Sequence, residues 1–240
     1  MLEPTADELA FYNNVTQLAS DLLKISVHIV GLNNDPKMIS VILYKRLCSN
    51  QQVYTLLWKR ETFLESDIIL RSALECAICI SANKAMRTDF VELLRGDAAY
   101  TILKQCKMHS RNGNTELAKD GMEIYETIKS SLPAGLKLAT LKWEELAHKG
   151  GVPHLYNYYR MLSGFSAHVT GFSVHRGVSA VNKPEFEPML EDDDKRIYLM
   201  MMANVMLQGA TRHAEMIEAE QQIERAAALT EELATLSAYL

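Results

Sequence analysis

The sequence predicts an all-α, single-domain, multi-helix bundle, and three observations predict it. Apolar residues recur at helical spacing through most of the 240-residue chain. Glycine (11) and proline (6) are scarce, which disfavours a turn-rich β architecture. No segment alternates apolar and polar residues as a half-buried strand does. Long antiparallel helices with a long C-terminal helix are therefore expected over residues 1–240.

The bulk numbers narrow the class further. Hydrophobic residues make up 48% and charged residues 23%, a globular balance that argues against disorder. A net charge of −5 and a pI near 5.8 supply no global basic field for nucleic acid, although a local patch is still compatible with them. No run of about 18 apolar residues exists, so no spanning helix and no membrane partner are expected. The acidic start Met1-Leu-Glu-Pro-Thr-Ala-Asp-Glu8 lacks the basic, then apolar, pattern of a secretory signal. Cys48, Cys76, Cys79 and Cys106 are accordingly expected to be reduced, in a cytoplasmic protein.

Each helix has its own local warrant. Thr5-Ala-Asp-Glu8 is a capping box, followed by Leu9, Val15, Leu18, Leu22, Ile25 and Ile29 at helical spacing; Gly31 and Asn33-Asn34 end that helix. Asp35-Pro36 opens the next, which runs through Met38, Ile42, Leu43 and Leu47 with a break expected near Ser49-Asn50. Thr62-Phe-Leu-Glu65 reads as a second capping box and starts a helix to about Lys84. Thr88-Asp89 begins another that ends near Asn112-Gly113. Thr115 to Ser130 is a more solvated helix, and Lys137 to His148 a short amphipathic one bearing Trp143. Pro153 opens a tyrosine-rich helix that Gly171 ends, and residues 172–190 form a loop. Glu191-Asp-Asp-Asp194 places negative charge at the start of the last long helix, where the macrodipole favours it. That helix runs to about Glu224, its continuation to the chain end left open. Leu229, Leu233, Leu236 and Leu240 form a stripe over residues 220–240. It packs into the protein's own core, or makes a homodimer or seats a helical partner.

Two polar clusters stand out inside these apolar helices. Between Ile68 and Ile80 only Arg71, Ser72 and Glu75 are strongly polar, so the helix is predicted to be buried nearly all round. Arg71 and Glu75 are four residues apart and share a face. They are either a pair tying helices together or a clamp for an anion, with Arg71 holding it and Glu75 orienting it or acting as a base. The second cluster is Tyr158, Tyr159, Arg160, Ser163, Ser166 and His168, within the segment from Tyr156 to His168. Arg160, Gly164 and His168 are spaced to lie on one side of a helix, with serines beside them, a set suited to acid–base chemistry or phosphate recognition. A hydrogen-bonded structural histidine is the competing reading. Cys76-Ala-Ile-Cys79 lies within a predicted helix without a second such pair, so core packing is expected. His154, His168 and His175 have no regular ligand spacing, and neither metal nor cofactor is expected. No glycine-rich phosphate loop, HExxH, GxSxG or EF-hand pattern is present.

Arg71-Ser-Ala-Leu-Glu75 together with Tyr159-Arg-Met-Leu-Ser163 and His168 resembles an uncharacterised family of bacterial all-helical proteins, over roughly residues 35 to 210. That family carries an R-S-x-x-E helix and a later Y-R-x-L-S helix ending in histidine. The resemblance implies a bundle in which the two motif helices face each other, and it implies no reaction. The arginine and histidine of the second cluster are also distantly similar to HEPN-type ribonucleases of bacterial defence and toxin systems. Those place four to six residues between arginine and histidine, whereas seven separate Arg160 from His168. The combined expectation is a central cavity bringing Arg71 and Glu75 against Arg160, Ser163 and His168. His168, Glu75 and Arg160 would be catalytic there, and Arg71, Ser163, Ser166 and Tyr159 would hold RNA or a nucleotide. The alternative is an interaction or ligand-sensing protein in which the clusters are structural ion pairs.

Overall fold

The computed structural model describes residues 4–164 and 192–237, apart from residues 33, 61 and 137. His168, Ser166, Gly171, the 172–190 loop, His175 and Leu240 thus lie outside the described residues. Nine helices and no strand are found among the described residues: α1 (Ala6–Ser26), α2 (Pro36–Lys59), α3 (Phe63–Met86), α4 (Thr88–Arg111), α5 (Thr115–Ser130), α6 (Trp143–Lys149), α7 (Pro153–Leu162), α8 (Asp192–Ile217) and α9 (Glu220–Ser237). None is long and apolar enough to cross a membrane.

The bundle is organised around α3, which packs against α2, α8, α6, α7 and α4. Its Leu70, Ala73, Leu74, Ala77, Ile78, Ile80 and Ala82 are fully buried. Each large aliphatic among them contributes on the order of 1.5–3 kcal/mol, more than helix propensity supplies. Ile68, by contrast, is half exposed. α8 lies across α3, α1 and α2 and buries Met200, Met201, Met202, Val205, Met206 and Leu207, so the methionine run is core packing. Gly209 permits the close crossing, since a Cβ there would collide with Leu47. α5 packs mainly on α4, giving an antiparallel hairpin at the side of the bundle.

Several sequence expectations hold at atomic detail. Thr5 and Glu8 form the capping box, with Thr5 N–H donating to Glu8 Oε2 (2.8 Å) and Glu8 N–H to Thr5 Oγ1 (3.2 Å). Asp35 caps α2 through Lys37 N–H (2.8 Å), with Pro36 at the first helical position. Glu8, almost fully buried, also accepts from Arg196 Nε (2.6 Å), which ties α1 to α8.

Four local expectations are corrected. No break occurs at Ser49-Asn50: α2 is continuous, and Asn50 Nδ2 donates to Ser72 Oγ (3.1 Å), so packing on α3 overrides the local signal. Thr62 does not cap α3; its hydroxyl (3.1 Å) and its N–H (3.0 Å) both donate to Leu57 O, an orphan carbonyl at the end of α2. α6 begins only at Trp143, because Leu141 N–H donates to Asp97 Oδ1 of α4 (2.9 Å) instead of to a helical carbonyl. The last helix stops at Ile217: Glu218 has φ +63°, and Ala219 N–H donates back to Ala214 O (3.0 Å), a Schellman closure. α9 then packs on α8 and α1, with Leu229 buried and Leu233 and Leu236 against the core.

Candidate functional site

The site is built where α7 meets α3. Gly150, at the α6–α7 corner, lies so close to α3 that a Cβ would fall 2.8 Å from Ser81 Cβ and 2.9 Å from Ala82 N. Its neighbour Gly151 has φ +71°, a conformation that L side chains rarely adopt. These two glycines let the corner turn against the central helix, and Pro153 then starts α7. Leu155 and Leu162 are fully buried and hold α7 on the core. Tyr159 and Ser163, four residues apart, share a face directed at α3.

Arg71 meets both. Its Nε donates to Ser163 Oγ (2.9 Å) and its Nη2 to Tyr159 Oη (2.9 Å), while Nη2 also lies 3.2 Å from Glu75 Oε1. Ser163 accepts from Arg71 because its own proton goes to Tyr159 O (2.7 Å). The guanidinium carbon stands 4.7 Å from the Tyr159 ring centre. Arg71 and Glu75 keep 20% and 23% of their side-chain surface in water, so the pair is half-buried and within reach of a ligand. Burial pushes the Glu75 carboxyl above its usual range, and the charges of Arg71 and Arg46 only partly offset that. A carboxyl held in this way is suited to accept or donate a proton nearer neutrality than an ordinary glutamate.

The predicted convergence of the two clusters is therefore realised for Arg71, Glu75, Tyr159 and Ser163. It is not realised for Arg160, and the expected central cavity is corrected to a half-open junction at the α3–α7 interface. Arg160 follows Tyr159 by one residue, about 100° around the helix, so the register that turns Tyr159 inward leaves Arg160 exposed. Arg160 lines an open depression of about 670 Å³ beside the cluster, shared with Trp143, His148, Tyr156 and Tyr159. Trp143 and Tyr159 ring centres are 5.7 Å apart, and Tyr156 and Tyr159 are stacked at 6.0 Å. Ser166 and His168 fall outside the described residues.

A second polar centre escaped the sequence reading. His213 of α8 is fully buried, with Nε2 2.8 Å from Ser26 Oγ and Nδ1 2.7 Å from Ser40 Oγ. Ser26 gives its proton to Leu22 O (2.7 Å), so its oxygen accepts from the ring. The network thereby assigns the proton to Nε2 and makes Nδ1 the acceptor from Ser40. The ring stacks on Tyr44, centre to centre 4.3 Å. Burial lowers the histidine pKa to about 3, so the imidazole is neutral. Its signal was its spacing from Met206, Gly209, Ala210 and Met216, which puts it on the buried face of α8.

Cys76 and Cys79 are buried in the core of α3. Burial raises the Cys76 thiol to about 11 and the Cys79 thiol well above its ordinary value, as suits packing groups and not nucleophiles.

No protein-family model, no curated protein and no solved structure matches the chain.

Proposed function

We propose that the α3–α7 junction binds a phosphate-containing ligand, RNA or a nucleotide. The carrying observation is the convergence of Arg71 and Glu75 with Tyr159 and Ser163, which lie 84 to 92 residues further along the chain, into a charged cluster that stays partly in water. An ion pair placed among apolar helices contributes little net stability, whereas guanidinium groups beside hydroxyls suit phosphate oxygens. Arg160, at the adjacent depression, adds a second guanidinium. In an enzymatic form of this reading, Glu75 moves a proton and His168 supplies the second acid–base group, giving a ribonuclease-like phosphate-ester chemistry. His168 enters on sequence grounds alone.

Binding of a labelled oligoribonucleotide and of a nucleoside monophosphate tests the reading, alongside a cleavage assay. Arg160→Ala should lower affinity about tenfold, the worth of one charge-assisted hydrogen bond. His168→Ala should abolish any cleavage while leaving helicity unchanged. Absence of binding by either ligand at low ionic strength removes the proposal.

One observation favours a structural alternative: Arg71 already has Ser163, Tyr159 and Glu75 as partners. Under that reading the cluster is a clamp between α3 and α7, and Arg71→Met destabilises the protein without affecting any ligand. A second copy or helical partner at α9 is the weaker interaction reading, since Leu229, Leu233 and Leu236 are turned to the chain's own core.

A further inference from the structure

We infer that the depression beside the cluster seats the planar base of a nucleotide unit, free or within a single RNA strand, against Trp143 and Tyr156. The inference rests on the phosphate reading above and deepens it by assigning the residues that hold the base. Trp143, Tyr159 and Tyr156 form a row, with ring centres 5.7 Å and 6.0 Å apart. Tyr159, in the middle, is fixed through its hydroxyl by Arg71 Nη2 at 2.9 Å. The charged cluster and the aromatic row therefore share one residue and keep a constant relation to each other. All three aromatics are only half-buried and border a space of about 670 Å³, room enough for a base with its sugar.

Charge at the rim agrees with a phosphate beside that base. Lys142 and Arg160 border the depression together with Glu144 and Glu145. Glu145 is matched by Lys149 at 2.8 Å and Lys142 at 3.9 Å. With Lys149 included, three cations (Lys142, Lys149 and Arg160) stand against two carboxylates at the rim. An organic cation is a poorer occupant, because Lys142, Lys149 and Arg160 at the rim would repel it. Stacking of a base on an exposed aromatic face is worth roughly tenfold or more in affinity.

The test uses the full chain carrying Trp58→Phe, so that emission comes from Trp143 alone. It is titrated with adenosine 5′-monophosphate, ribose 5-phosphate, adenosine and a short oligoadenylate. The nucleotide and the oligomer should quench Trp143 and bind at least tenfold more tightly than ribose 5-phosphate. Trp143→Ala should reduce nucleotide affinity to that of ribose 5-phosphate, and Trp143→Phe should retain most of it. If Trp143→Ala does not fold, quenching in the Trp58→Phe protein still decides. Equal binding of ribose 5-phosphate and nucleotide without quenching overturns the base seat and leaves the phosphate reading standing. Adenosine binding as well as its monophosphate, with quenching, supports the base seat and overturns the phosphate reading. No binding by any of the four overturns both. An oligomer at least tenfold tighter than the mononucleotide identifies an RNA strand as the source of the base.

Discussion

The node around His213 and the cluster around Arg71 both pin helices together through hydrogen-bonded polar side chains. They differ in water access. His213 is fully enclosed, whereas Arg71 and Glu75 each keep about a fifth of their surface exposed. In the closed node both ring nitrogens have serine partners and no charge is present. Such a node holds α8 against α1 and α2, and it is costly to disturb, since any partner lost leaves an unsatisfied group without water. The open cluster retains its ion pair, whose desolvation offsets much of its attraction, so that it adds little net stability. Charge retained where it stabilises little is charge available to a ligand.

The largest test removes the closed node. His213→Ala should cost about 3–5 kcal/mol, combining a cavity with a Ser40 hydroxyl that loses its acceptor, as read by urea unfolding at pH 7. A cost below about 1 kcal/mol would contradict the closed-node account.

Acid sharpens the same contrast. The folded pKa of His213, about 3, lies below the ordinary value near 6.5, so between these values the unfolded chain binds the extra proton. Stability is therefore complete above about pH 6.5 and declines toward pH 3, with about 2 kcal/mol lost between pH 7 and pH 5. Unfolding curves at the two pH values measure this, and the loss should vanish in a folded His213→Gln protein. Glu75 is shifted the other way, upward by burial. Any proton-transfer activity should consequently show an acid limb above the usual glutamate range, flattened by Glu75→Gln.

A smaller effect is expected at the open cluster. Arg71→Met keeps the aliphatic stem but removes the partner of Tyr159, Ser163 and Glu75 and should cost about 1–2 kcal/mol, while phosphate-ligand affinity falls about tenfold or more. A loss as large as that of His213→Ala, with unchanged binding, would place both centres in the same structural category. The smallest change calibrates the others from outside both centres. Glu218→Gly relieves a positive φ at the end of α8 and should raise stability by about 0.5–1 kcal/mol, leaving binding untouched.

Local chemistry made much of the fold legible. The capping box at Thr5, the Asp35-Pro36 start and the apolar run of α3 act through neighbours three or four positions away, and each formed as expected. Where the local signal failed at Leu141 and Asn50, a distant group had intervened, Asp97 on the one and Ser72 on the other; at Thr62 the competitor was Leu57 O, five residues back at the end of the preceding helix. The site divided along the same line. Arg71 with Glu75, and Tyr159 with Ser163, were readable as pairs because helical spacing fixes which residues share a face. Which face met the other helix depended on how closely Gly150 lets the α6–α7 corner approach Ser81 and Ala82. That rotation joined Tyr159 and Ser163 to Arg71, turned Arg160 outward, and laid Trp143 and Tyr156 beside them. The sequence by itself determined the helices and the pairs along them, because those interactions are short-range. Tertiary packing alone decided the partners across helices and the enclosure of His213, because both depend on contacts between residues far apart in the chain.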